Sequence, residues 1–461
     1  MGGVSVTERT TAATARAART RVLLDGRIAP TLARLALPNV LAMVVQAAMS
    51  IAEGYFASRL GVPALAGLAL VFPLVMLTQM LSAGSMGGAI SSAVARALGA
   101  NHDARASGLI LAAWSLALVL AAASALAMAL FGRAVFGLLG GDSDAIRSAL
   151  DYAAVYFPGC LAIWLCHSSL SVIRGAGNMG VPSLVLLGVS VLSIPLAGAF
   201  ALGWGPFPAL GMAGLALGGI IAHALGAAVA VAYLLAGRAG LSPGRARLAW
   251  DMFADILKVG SIASVNSVLT VLTIVLMVGA VGRHGAAALA GYGLGARLEF
   301  LMIPIVFGIG AAMTAMVGAN IGAGNRRRAL AVAWTGSIAA AGIVGGIGAV
   351  VAVFPDLWLR LFLSAQETEA LSVGRAYFRA VAPFYGFFGL GLALYFASQG
   401  AGRLVLPFLG GVIRLAIAFG GSVLLGQTTE LGVNAVFIAI AAGMFAYGLF
   451  ISIALQLSKW E

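Results

Sequence analysis

A chain of 461 residues with 61% hydrophobic and only 9% charged residues cannot cover a water-facing surface, which excludes a soluble globular protein. The formal net charge of +12 would suit nucleic acid, but the basic surplus recurs in alternate loops, which needs no nucleic-acid partner. Apolar runs of about twenty residues recur throughout, each long enough to cross a hydrocarbon core of about 30 Å, so the class is an all-α polytopic protein of the lipid bilayer.

Residues 1–29 carry Arg9, Arg16, Arg19, Arg21 and Arg27 among Ala and Thr, without an apolar run. A secretory signal needs a hydrophobic stretch after its basic part, so the expectation is a disordered basic cytoplasmic arm. Twelve spans follow, at 33–60, 64–96, 107–131, 147–173, 182–203, 209–236, 253–282, 287–321, 328–354, 369–398, 404–426 and 431–457. A polar stretch holding Arg238, Pro243, Arg245, Arg247 and Asp251 parts the sixth from the seventh. It divides the chain into a first lobe at 30–237, a cytoplasmic linker at 238–252 and a second lobe at 253–461.

With the N-terminus inside, inner segments hold the N-terminal arginines and Arg34, Arg96, Arg105, Arg174, Arg238, Arg245, Arg247, Lys258, Arg326, Arg327, Arg328, Arg403 and Lys459. Outer segments hold Arg59, Arg133, Arg147, Arg283 and Arg360, with Arg375 and Arg379 near an outer helix end. The bias places both termini in the cytoplasm, at the plasma (inner) membrane of a bacterium.

The two halves repeat each other. Arg174-Gly175-Ala176-Gly177 before Pro182 returns as Gln399-Gly400-Ala401-Gly402 before Pro407, at an offset of 225 that also pairs Tyr152 with Tyr377 and Pro158 with Pro383. Leu98-Gly99-Ala100 returns as Ile321-Gly322-Ala323. Six spans per half is even, so both halves enter from one side and form a parallel repeat, twelve helices in two six-helix lobes about an axis along the membrane normal.

On the loops Val94 to Asn101 and Val317 to Asn325, on Ile173-Arg174-Gly175-Ala176-Gly177, on Ser398 to Arg403 and on the run from Leu37-Pro38 to Glu53, the chain resembles the multidrug and toxic compound extrusion (MATE) family. The resemblance spans nearly the whole chain. It implies a V-shaped pair of bundles exporting amphipathic, often cationic small molecules in exchange for protons or sodium ions.

Charge inside a bilayer is costly and usually kept for a reason. Two of the fifteen acids lie well inside spans, Glu53 and Glu299. Glu53 shares a helix face with Gln46 and Ser50. The resemblance implies an aspartate there, used as a proton or cation switch; the plainer alternative is an interfacial glutamate reaching solvent or pairing with Arg59. Glu299 shares a face with Tyr292, while Arg297 points elsewhere. Its alternative role is to anchor Arg414 of span eleven as a buried ion pair.

Family members often carry acids in helices seven and ten, whereas helix seven here offers Asn266, Thr270 and Thr273 and helix ten has none. Helix five has Ser193 and Pro195 where the family often shows Asn and Asp. Hard cations need several oxygen ligands, so protons are favoured over sodium. Helix four adds a stripe of Tyr156, Cys160, His167, Ser171 and Arg174. Within it His167 is a relay candidate, because an imidazole titrates near neutrality; the alternative is a packing histidine. Cys160 and Cys166, six apart in one span, are not expected to pair.

The expected function is proton-coupled multidrug efflux by a monomer, through alternating access of two lobes. The alternatives are a sodium-coupled exporter, or a lipid-linked precursor flippase, for which only Arg297 and Arg414 are deep enough to meet a pyrophosphate. An enzyme is not expected, since His102, His167, His223 and His284 fall in separate segments and no convergent catalytic set, metal site or cofactor motif is present.

Overall fold

The computed structural model describes residues 6–139, 143–243, 248–364, 366–458 and 460, and of residues 6–10 and 47–48 only the backbone. The side chains of Arg9, Arg245, Arg247 and Lys459 lie outside the described residues. Among the described residues, twelve helices are long and apolar enough to cross a membrane. They are α1 (Ile28–Leu60), α2 (Val62–Gly99), α3 (Asp103–Leu138), α4 (Ser143–Gly175), α5 (Gly180–Leu202), α6 (Gly211–Leu235), α7 (Trp250–Gly282), α8 (Ala286–Gly322), α9 (Arg326–Val353), α10 (Thr368–Ala401), α11 (Val405–Thr428) and α12 (Val433–Leu457).

The helices form two bundles. One core gathers mostly residues from Ala42 to Ala263, with Tyr152, Tyr156 and Leu170, and also takes in Tyr395, Phe396 and Leu404; the other gathers mostly residues from Met277 onward, with Tyr292, Tyr377 and Phe437, and also takes in Leu23, Leu32 and Ala36. Corresponding helices pack alike: α4 against α6 and α10 against α12, α3 against α4 and α9 against α10. The repeated stretch has one conformational job in both copies. Gly177 and Gly402 adopt positive φ values of 78° and 75°, which release α4 and α10 at a cost only glycine avoids. The paired prolines lie inside the same two helices, where Pro158 is kept within α4 while Pro383 lies in a 3₁₀ turn that interrupts α10.

Within the expected N-terminal arm, the described residues depart from expectation. Val6–Asp25 form a helix, not a disordered arm. Arg16 donates to both carboxylate oxygens of Asp103 at 2.6 Å, which ties the helix to the first lobe. Leu23 enters the second core, and its carbonyl accepts from Asn320 at 3.1 Å. An alanine-rich segment has the propensity for a helix, but these partners come from residues 80 to 300 positions away, so composition alone does not reveal the docking.

Interlobe contacts gather in one half of the molecule, where the second part of α2 meets α8 and α10, α1 meets α8, and the turns Met80–Met86 meet α7. In the run Gly84 to Gly88 small residues permit close packing: a side chain at Gly87 would run into Ser171, and one at Gly88 into Gln399. Away from this half, Ile51, Tyr55, Val62 and Val275 are exposed. The lobes diverge there as the arms of a V.

Candidate functional site

In the first lobe, Glu53 is half-buried on α1 and turns toward α6, its carboxylate 4.0 Å from the point where a side chain on Gly219 would begin. It interacts electrostatically with the buried phenols of Tyr152 and Tyr156 on α4. Among the described residues Glu53 has no ion-pair partner, Arg59 included. Ser50 is exposed and Gln46 half-buried on the same helix, and among the described residues no hydrogen bond joins either to Glu53. One turn along α6, the His223 Nδ1 lies 2.9 Å from the Gly219 carbonyl. A carbonyl only accepts, so Nδ1 carries the hydrogen.

The histidines expected in separate segments therefore converge in part. His167 and His223 are both buried, with ring centroids 6.0 Å apart. His167 Nε2 lies 3.0 Å from Gln79 Oε1. The whole α4 stripe of Tyr156, Cys160, His167, Ser171 and Arg174 is buried, and Cys160 and Cys166 are free. Helical spacing identified the stripe; the neighbours from α2 and α6 carry no sequence signal.

In the second lobe, Glu299 accepts a hydrogen bond from the Tyr377 hydroxyl. Tyr292 packs edge-on to Tyr377 at 5.5 Å and stacks on Phe437 at 6.5 Å. The Glu299–Arg414 ion pair, the alternative role considered for this acid, is not formed. Arg414 lies instead over the rings of Phe388 and Tyr447, at 5.0 and 5.8 Å, and reaches Glu299 only through its field. Glu299→Gln is thus expected to fold in normal yield, with a stability loss within about 1 kcal/mol, because the amide oxygen still accepts from Tyr377. Adding Arg414→Met should restore nothing; a collapsed yield rescued by that second change would reinstate the ion pair.

Each lobe thus carries one interior carboxylate beside the same repeat position, Tyr152 in the first and Tyr377 in the second. The offset of 225 marked these tyrosines as equivalent, but pairing them with acids on α1 and α8, which are not themselves equivalent, required the fold. Asp356, between α9 and α10, differs in kind. The hydrogen bond from Arg375 and a second from Arg360 hold its carboxyl down to about 2, so it stays ionised near neutrality and carries no proton there. Asn266 borders Gly411, Thr270 is bonded to its own helix at 2.9 Å, and Arg297 is exposed over Phe362 at 5.9 Å, so the structure does not join these three into one site.

The closed end of the V is a clasp. Ser92 donates to the carbonyls of Gln399 and Gly400 at 2.6 and 2.8 Å, and Ser85 and Ser267 hydroxyls lie 2.8 Å apart. Arg96 pairs with Asp255 at 2.6 Å, and Arg105 pairs with Asp251 and Asp255. Every one of these bonds crosses between lobes, and all are short-range and breakable by a rigid rocking of one lobe.

Two repeated bundles joined by a breakable clasp at one end, each with a carboxylate in its interior, define an alternating-access membrane transporter. The chain belongs to the MatE family, whose model matches residues 38–198 and 262–424. It is 25% identical over 446 residues to the probable multidrug resistance protein NorM of Thermotoga maritima, covering 93% of this chain and 92% of that one. To an FAD transporter of Shewanella oneidensis it is 24% identical over 312 residues, covering 67% and 68%. A MATE crystal structure in the bent conformation superposes with a TM-score of 0.87 at 22% identity, covering 96% of this chain and 97% of that one. An outward-facing multidrug resistance MATE family transporter of the MOP superfamily gives 0.84 at 23%, covering 95% and 98%. These two structures speak to the fold alone. Family membership makes the chain an integral membrane efflux transporter and not an enzyme.

Proposed function

We propose that the protein exports amphipathic, cationic compounds in exchange for protons, as a monomer in a bacterial plasma membrane with both termini in the cytoplasm. The observation that carries this reading is Glu53, an interior carboxylate with no counter-ion among the described residues, open to exchange between a proton and a cation. Its neighbours are phenols and, a turn away, an imidazole. Such groups suit a proton better than sodium, which takes several oxygen ligands, carboxylates among them. Glu299 and Tyr377 supply a second protonatable pair in the other lobe. The test is efflux of a cationic dye from proteoliposomes. A proton gradient should drive it and a sodium gradient should not; transport driven by sodium with the proton gradient collapsed would refute the coupling.

The orientation is tested separately. The clasp end carries Arg96, Arg105, Arg326, Arg327, Arg328 and Arg403, as the positive-inside rule asks of a cytoplasmic face. Single cysteines in the 96–106 and 322–328 loops should be labelled only from the cytoplasm. Labelling of either from the periplasm would overturn the topology.

A further inference from the structure

The two copies of the repeated stretch meet across the lobe contact. Their leading residues, Arg174 and Gln399, occupy equivalent positions at the ends of α4 and α10, and both line one cavity between the lobes, of about 10 Å³ in this closed arrangement, room for a single water. Ser91 and Thr314 supply its other polar walls, and Phe307 and Phe396 its apolar ones. None of the residues lining it is acidic.

Arg174 is 3% exposed and forms no ion pair among the described residues. Only its Nη1 has a partner, the Ser171 hydroxyl at 3.5 Å, while Nε and Nη2 are buried and unsatisfied. Those two atoms form one side of the guanidinium, the edge that grips both oxygens of a carboxylate or phosphate. The Ser91 hydroxyl, also buried and unpartnered, is a third donor on the same cavity. Gln399 is fixed by its amide, which donates to the Gly84 and Ser85 carbonyls at 3.1 and 3.2 Å. Its Oε1 is left free, able to accept from a protonated oxygen of the ligand. A buried cation with no counter-ion is strongly unfavourable, so the pattern is that of a site awaiting an anion.

We propose that Arg174, Ser91 and Gln399 form an oxyanion-binding site between the lobes, which takes the carboxylate or phosphate group of a transported molecule or a free inorganic oxyanion. The cavity lies within the closed end, so it opens to ligand when the clasp parts. Bound there, an anion bridges α4 and α2 of one lobe to α10 of the other, and its release is tied to lobe movement. The proposal rests on the efflux reading for this consequence, but its test is an equilibrium measurement without a gradient, so a failure of coupling and a failure of the site show separately.

The full-length protein is titrated with a fluorescent xanthene dye bearing a free carboxylate and with the methyl ester of the same dye. The wild type should bind the acid at least about tenfold tighter than the ester, as a charge-assisted bidentate contact allows. Arg174→Gln should erase that preference while leaving ester affinity within about twofold, and Arg174→Lys should keep part of it, having the charge without the fork. Should Arg174→Gln fail to fold, Ser91→Ala should weaken the acid alone, by about two- to tenfold. Inorganic phosphate separates the two sources. If it competes with the acid and raises the melting temperature by itself, a free oxyanion suffices; if it does neither while the acid is still preferred, the site reads the acidic group of the larger molecule. Equal binding of acid and ester with no phosphate effect leaves a cavity for water only, and it overturns the proposal, as does a preference that survives Arg174→Gln.

Discussion

Glu53→Gln is expected to reduce proton-driven efflux to the background of empty vesicles while leaving the protein folded. Glutamine has the shape of the protonated acid, and Glu53 has no ion pair to lose, so neither a cavity nor a stranded charge is created. What disappears is the ability to alternate between two charge states next to Tyr152 and Tyr156. Cationic substrates should also bind about a hundredfold more weakly, since an opposite charge about 6 Å away at an effective dielectric near 20 is worth about 2.8 kcal/mol. Glu53→Asp keeps the titratable group but withdraws it from the space at Gly219, so partial activity is expected. Wild-type efflux by Glu53→Gln under a proton gradient would end the α1 coupling idea and pass the role to Glu299 or His167.

Gly99→Val should be nearly as damaging, for a steric reason. A side chain at Gly99 would fall on the backbone carbonyl of Ala319, and one at Gly322 on the carbonyl of Arg96. These glycines come from the repeated loops and lie at the crossing of α2 and α8, where small residues let two backbones touch. The crossing touches the rim of both cores, at Ala97 and Leu98 in one and Ala319 in the other, but most of each core lies away from it, so the variant should insert and fold. Overpacking of about 1–3 kcal/mol then acts on closure of that end, shifting it about 5- to 150-fold toward the parted state. Efflux should fall close to background. With Cys160 and Cys166 replaced, a Ser85→Cys/Ser267→Cys pair should form an interlobe disulfide in the parent, since the hydroxyls it replaces are 2.8 Å apart, and much less in the variant. Full efflux with undiminished cross-linking would show that the crossing tolerates a side chain and that closure does not depend on it.

The effects differ in how far they could be foreseen. Glu53 and Glu299 stand out in the sequence because an acid in an apolar run is costly in any membrane fold. The partners of Glu299 did not. Arg414 was the obvious counter-ion by charge, yet it is held over Phe388 and Tyr447, and the hydroxyl of Tyr377 reaches the carboxylate instead. Charge indicates that a partner is needed, whereas helix rotation decides which side chain comes within hydrogen-bonding distance. The N-terminal segment failed for a related reason: its arginines looked solvated until Asp103 and the linker carbonyl of Ala239 were brought beneath them.

Length, apolar runs and basic loops determined by themselves that this is a twelve-helix membrane protein of two similar lobes, because the bilayer imposes the length and polarity of each span whatever the helices do next. The repeat likewise marked Arg174 with Gln399, Tyr152 with Tyr377 and Gly99 with Gly322 as equivalent positions. Only the tertiary structure decided what each pair does. Two equivalent residues can face each other across the axis, as Arg174 and Gln399 do in one cavity, or lie in separate lobe interiors, as the tyrosines do. That choice depends on distances between helices far apart in the chain, set by packing of side chains with no local signature.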